Sequence, residues 1–157
     1  MRADRVAASA GELAVLFGLM GLVTGPLWGR KAWGVWWQWD PRLTTALLLE
    51  LILVAYLLVR RYGGPGAEKL AAGLALFGVV DSVFVYKSVD WWRNVHPATS
   101  VVPTLMSPDS KMGPAAALAF AWCAVAFVFL FALLLAMRVR LADQQAMLNE
   151  LYLAEEE

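Results

Sequence analysis

The sequence predicts an all-α membrane protein, a four-transmembrane-helix bundle with a Trp-rich extracytoplasmic loop, and three observations predict it. The 157 residues are 61% apolar and 17% charged, with a mean hydropathy of +0.60, whereas soluble domains have roughly 45–50% apolar and about a quarter charged residues. The apolar residues gather in four stretches close to the length of about 20 helical residues that crosses ~30 Å of hydrocarbon. Trp28, Trp33, Trp36, Trp37, Trp39, Trp91 and Trp92 all fall at one side of those stretches. Backbone polar groups in lipid must be satisfied within the segment, so the stretches are helices.

The first span covers about 6–28 and is followed by Gly29 and Arg30. Arg2 and Arg5 before an apolar run suggest a signal peptide, but the run is too long for one. The small residues Ala7-Ala8-Ser9-Ala10 also lie at the wrong end for cleavage. The second span, about 43–59, is closed by Arg60, Arg61 and the breaker run Gly63-Gly64-Pro65-Gly66. The third covers about 70–86. The fourth, 114–137, opens on Pro114, where a missing N–H costs little. Residues 1–140 thus form one transmembrane domain, with outer loops at 29–42 and 87–113, and 141–157 form a C-terminal tail. Leu141, Leu148 and Leu151 in that tail have helix-like spacing, which predicts an amphipathic extension.

Four crossings put both termini and the turn at 60–69 on one side. That side carries Arg2, Arg5, Arg60, Arg61, Lys69, Arg138 and Arg140; the other carries Arg30, Lys31, Arg42, Lys87, Arg93 and Lys111. The margin favours cytoplasmic termini and tail by a single residue. Basic residues on the outer face run against the rule and suggest a use there. The 13 basic and 13 acidic residues balance, so no basic surface points to nucleic acid. Cys123, the only cysteine, permits no internal disulfide, and a single histidine, His96, excludes a multi-histidine metal site within the chain. The composition speaks against a water-soluble enzyme, and no nucleophile, metal triad or acid pair forms a catalytic constellation.

Tryptophans gathered at one face fit either an interfacial belt or a platform for a large flat ligand, and composition alone leaves both open. The string Trp33-Gly34-Val35-Trp36-Trp37-Gln38-Trp39-Asp40-Pro41-Arg42-Leu43-Thr44 favours the platform. It resembles the WWD signature of the haem-handling membrane proteins of cytochrome c maturation. Its Asp40-Pro41-Arg42-Leu43-Thr44 is similar to the WDxRLT pattern of the haem-delivery (CcmC-type) branch, while the WDPVEN and WDPKET patterns of the other branches do not fit. Ser88-Val89-Asp90-Trp91-Trp92-Arg93-Asn94-Val95-His96 resembles the segment that carries an axial haem histidine in that family. Val23-Thr24-Gly25 and Trp28-Gly29 extend the match. Family members have six spans and a second axial histidine near the chain start, so the resemblance implies that these residues are the last four of six helices. The second axial position is then open to methionine, water or a partner's ligand; Met106 and Met112 share a connection with His96, although a loop methionine more often packs.

The resemblance implies a non-covalent b-type haem held at the outer face. Trp33, Trp36, Trp37, Trp39, Trp91 and Trp92 would supply aromatic contacts to the macrocycle, and His96 a neutral imidazole nitrogen to the iron. Arg42 and Arg93 would pair with propionates, while Lys31 is better read as a snorkelling flank and Asp40 as pairing with Arg42 to hold the turn. Glu50 and Asp81 lie within spans, where a carboxyl must face the bundle, be protonated or find a partner; Glu50 is read as a packing or interhelix hydrogen-bonding residue in preference to a proton relay. Gly18, Gly21 and Gly25 predict close helix contact.

The family further implies bacterial inner-membrane residence, delivery of haem to a CcmE-type chaperone, ABC transporter partners of CcmA and CcmB type, and a small single-span CcmD-type subunit. The chain would hold haem edge-on in a shallow site and hand it over. The rival function from another class is a membrane-anchor subunit of a respiratory or transport complex, in which the tryptophans brace the interface. A b-type electron-transfer bundle would need histidines inside the spans, and there are none.

Overall fold

The structure, a computed structural model, describes residues 2–92 and 113–155. It contains four helices, α1 (Arg2–Trp33), α2 (Pro41–Tyr62), α3 (Ala67–Trp91) and α4 (Pro114–Glu155), each long and apolar enough to cross a membrane. No strand occurs among the described residues. All four predicted spans lie inside these helices.

The helices run past the spans where the sequence gives them caps. α1 continues through Gly29 to Trp33 and stops where Gly34 turns to a φ of +80°, a conformation that a β-carbon disfavours. The N–H of Gly34 donates to the Arg30 carbonyl at 3.2 Å. α2 begins at Pro41, with Asp40 as N-cap accepting from the Leu43 N–H at 2.7 Å. Gly63 closes it by donating to the Val59 carbonyl at 2.8 Å, and Gly66, at φ +90°, opens α3. The 42 residues of α4 span about 63 Å, so the helix carries on through the tail predicted at 141–157 as far as Glu155.

The bundle is ordered α3, α2, α1, α4, with the most extensive contact between α2 and α3. A β-carbon added at Gly78 would lie 3.5 Å from Ile52 and 3.6 Å from Leu49, so this glycine lets α3 ride close on α2. α4 meets α1 through Phe17, whose ring centroid is 6.4 Å from that of Phe127 and 6.3 Å from that of Phe131. The distribution of polarity is the reverse of a soluble domain: Ser9, Asp40, Glu50, Asp81 and Ser88 are buried, whereas Leu19, Val79, Val83, Phe127 and Phe129 are exposed. An apolar exterior with polar groups turned inward suits hydrocarbon surroundings.

At the end of the bundle that holds both termini, α1 is tied to both neighbours by ion pairs. Arg60 of α2 reaches Asp4 at 2.7 Å; Arg138 of α4 embraces Glu12 with two donors, one at 2.8 Å; and Arg5 pairs with Asp143. Three of the basic residues assigned by sequence to the termini side therefore join helices. The Glu12–Arg138 fork is two-pronged and half-exposed, a geometry that fixes direction as well as charge. Reversing either charge alone is expected to lower the unfolding midpoint in detergent, and the double swap Glu12→Arg with Arg138→Glu to recover most of the loss. The coupling energy of that cycle should be about 0.5–1 kcal/mol.

Candidate functional site

The tryptophan string sits on a loop of seven residues, 34–40, clamped at both ends. Gly34 receives the Arg30 guanidinium on its carbonyl while its own N–H bonds back into α1. At the other end the Asp40 carboxylate caps α2 and its carbonyl accepts from the Thr44 N–H at 3.0 Å. Asp40 thus holds the turn, the structural role expected of it. With so little chain between fixed ends, the indoles are placed by the helix termini.

Trp28, Trp33, Trp36 and Trp37 converge on a small pocket of about 80 Å³, floored by Gly25, Pro26 and Leu43. Trp28 and Trp33 meet edge to face at a centroid distance of 4.8 Å, and Trp37 and Trp39 do so at 5.6 Å, the arrangement that ring quadrupoles favour. A β-carbon at Gly29 would sit 3.4 Å from the Trp33 ring, an ordinary van der Waals contact. Trp36 is 57% exposed and Trp39 76%, so these two present open faces outward. Trp39 touches Trp37 but does not line the pocket. Trp91 and Trp92 form a separate edge-to-face pair, 5.8 Å apart, at the end of α3, with Trp91 also 5.9 Å from Phe84.

Beneath the first pocket lies a larger cavity of about 410 Å³ between α1 and α2, and both are lined by Gly25, Pro26, Trp37 and Leu43. Its α1 wall includes Gly18 and Gly21, its α2 wall Glu50, and α3 adds Val85. Only Gly18 makes the close contact predicted for the glycine face, lying against the Glu50 carboxylate, which leaves no room for a β-carbon. At Gly21 and Gly25 a β-carbon would meet nothing within 4 Å, so these two line open space instead of packing. Glu50 itself is buried against Gly18, in the packing position expected from sequence, but it also lines the cavity, and its Oε1 has no partner.

His96 and Arg93 lie outside the described residues, as do Met106 and Met112. Arg42 is half-buried in the first turn of α2, and among the described residues its guanidinium has no ion-pair partner. Trp28 was not among the predicted ligand-binding tryptophans; it lies five residues before Trp33, about 140° around the same helix, so helical spacing alone does not pair the two.

A haem group can be tested against this geometry. A pocket of about 80 Å³ cannot enclose a macrocycle, but the exposed faces of Trp36 and Trp39, the adjoining apolar cavity and the cationic Arg42 nearby suit one that lies on the loop. Trp37 lines both cavities, and its Nε1 is buried without a hydrogen-bond partner. The residues fit a flat, apolar ring with acceptor groups at its rim.

The family described as heme exporter protein C (CcmC) matches residues 1–151 of the chain. The chain is 32% identical over 149 residues to heme exporter protein C of Escherichia coli K12, covering 88% of this chain and 55% of that protein. It is 39% identical over 102 residues to heme exporter protein C of Bradyrhizobium diazoefficiens, covering 64% of this chain and 39% of the relative. A putative cytochrome c biosynthesis ccmC-like mitochondrial protein of Arabidopsis thaliana is 36% identical over 90 residues, 57% of this chain and 34% of that protein. The chain therefore spans about half the length, or less, of these curated relatives.

A buried N–H without a partner costs about 1–3 kcal/mol. Trp37→Phe keeps an aromatic ring and removes that group, so the ligand-free protein is expected to unfold in detergent no earlier than the wild type. Asp40→Ala, which removes the cap of α2, is expected to lose about 1 kcal/mol in the same measurement.

Proposed function

The chain belongs to the heme exporter protein C family, and from that premise we propose that it binds haem non-covalently on the tryptophan loop at the outer face of the bacterial inner membrane and delivers it to a haem chaperone. The observation that carries this reading is the convergence of Trp28, Trp33, Trp36 and Trp37 at the end of α1 on a loop pinned by Arg30 and Asp40. An interfacial belt needs indoles spread around helix ends at headgroup depth; the edge-to-face pair Trp28–Trp33 sharing one pocket with Trp36 and Trp37 suits recognition of a flat ring better.

In this reading Trp33, Trp36, Trp37 and Trp39 contact the macrocycle, with Trp91 and Trp92 completing the aromatic wall. Arg42 and Arg93 pair with the propionates, for which a guanidinium supplies a two-pronged donor. His96 holds the iron, and the iron supplies the affinity for an imidazole nitrogen that fixes the ring on the loop. The protein's own work is to bind, orient and release; bonds to the chaperone would be made on the ligand. The termini lie in the cytoplasm and the tryptophan loop outside. The partners are a CcmE-type chaperone, ABC transporter subunits of CcmA and CcmB type and a CcmD-type single-span subunit.

Purified from cells that make haem, the protein is expected to show a Soret band. His96→Ala should remove most of it, and Trp36→Ala and Trp37→Ala should each lower it; a colourless wild type would overturn the reading. The proposed sidedness has its own test. A cysteine introduced at position 104 in a Cys123→Ala background should react with a membrane-impermeant maleimide added to intact spheroplasts, and labelling only after lysis would reverse the orientation.

A further inference from the structure

The slot between α1 and α2 is more open than the contact of two helices requires. Gly21 and Gly25 face it across empty space, where larger apolar side chains would fill the gap and gain burial. Pro26, in the same wall, offers no N–H to the Leu22 carbonyl. From Leu43 to Leu53 the slot extends along α2 for about 15 Å, entirely within a membrane-spanning helix. α4 contributes no residue to its wall. Its upper end is Trp37, which it shares with the pocket under the tryptophan loop. At mid-depth sits Glu50, 5% exposed, with Oε1 unpartnered and the carboxylate wedged against Gly18.

We propose that this slot is a membrane-side port, through which a tetrapyrrole dissolved in the bilayer slides edge-first between α1 and α2 and reaches the tryptophan loop from the hydrocarbon side. The inference rests on the function proposed above and adds to it the phase from which the ligand is taken. The glycine wall accepts a flat edge without side chains in the way, and the leucine and alanine side chains opposite keep it apolar. A propionic acid group crossing hydrocarbon is carried as the neutral acid, because the charged form is too costly there. Glu50 and Trp37 are the side chains bearing polar groups in the slot wall, so the acid group meets Glu50 first and Trp37 above it. These two side chains thus mark successive levels of one path, and Leu43, next to Arg42 in the chain, lines both cavities at its outer end.

The experiment uses the full chain in proteoliposomes and follows the growth of the Soret band with two supplies. One is hemin preloaded in the bilayer, and the other is a water-soluble iron porphyrin with four propionates that stays outside it. Gly21→Leu fills open space in the slot and lies outside the lining of the tryptophan pocket, so the fold and the outer site are retained. It is expected to slow loading from the bilayer by about tenfold or more while leaving the final amplitude and the rate from water unchanged. Glu50→Leu should slow bilayer loading as well, whereas Glu50→Gln, which still accepts a hydrogen bond, should stay close to wild type. Unchanged bilayer loading in the glycine variant, or equal slowing from both supplies, would overturn the port and leave the outer site standing. A wild type that gives no Soret band from either supply would instead remove the haem-binding reading itself, and the port with it.

Discussion

α1 is held to α2 by what its glycines leave out. In a bilayer the lipid tails are as apolar as leucine, so helices associate only where their surfaces fit closely. Gly11 admits the ring of Tyr56, which stands 2.7 Å from where a β-carbon would be, and Gly18 admits the carboxylate of Glu50. The two glycines lie seven residues apart on one face of α1 and receive two side chains six residues apart on α2. That pairing sets the register of the two helices. Beyond Gly18 the same face continues as Gly21 and Gly25, but α2 no longer fills it, and the seam widens into a cavity that Trp37 roofs. One glycine face therefore does two jobs in succession, closing the bundle toward the termini and opening it toward the tryptophan loop.

The loop depends on that register. Its ends are the last turn of α1 and the first turn of α2, and each carries a cap from a side chain in the motif: Arg30 on the Gly34 carbonyl and Asp40 on the Leu43 N–H. Between them the indoles settle into perpendicular pairs, which hold aromatic faces apart instead of collapsing them on one another. A longer loop would have had to meet the entropic cost of ordering these large side chains from its own contacts. Here the helix ends have already met it, and the open faces of Trp36 and Trp39 remain available to a ligand.

How far the sequence could be read follows from which interactions are local. The four spans were legible because hydrocarbon leaves the backbone no alternative to helix, and the tryptophan cluster because it is contiguous. The end of α1 was harder to place, since Gly29 looks like a terminator. It is instead tolerated inside the helix, and the chain turns at Gly34. That difference of five residues put Trp28 and Trp33 on one helix, and both line one pocket. The roles of Gly18, Gly21 and Gly25 could not be separated by spacing, because whether a glycine packs or lines a void depends on α2, a partner about 30 residues away in the chain. Glu50 shows the same limit. Its burial followed from its position in a span, but the cavity beside it and its missing partner are properties of two helices together.

A pocket of about 80 Å³ under exposed indoles also bears on how such a site trades retention against release. A cavity that enclosed both faces of a macrocycle would gain apolar burial at about 25 cal/mol per Å², and every part of that gain would have to be lost again before a partner could take the ligand. A ledge that leaves one edge bare takes only part of the burial. It must then draw its affinity from a few directional contacts, such as an axial nitrogen and guanidinium pairs, that a second protein can replace one at a time. The adjoining slot adds apolar contact along a single edge, at the side away from such a partner. Under the function proposed above, holding from the membrane side and presenting to the outside would be compatible, because they would use opposite edges of the same flat ring.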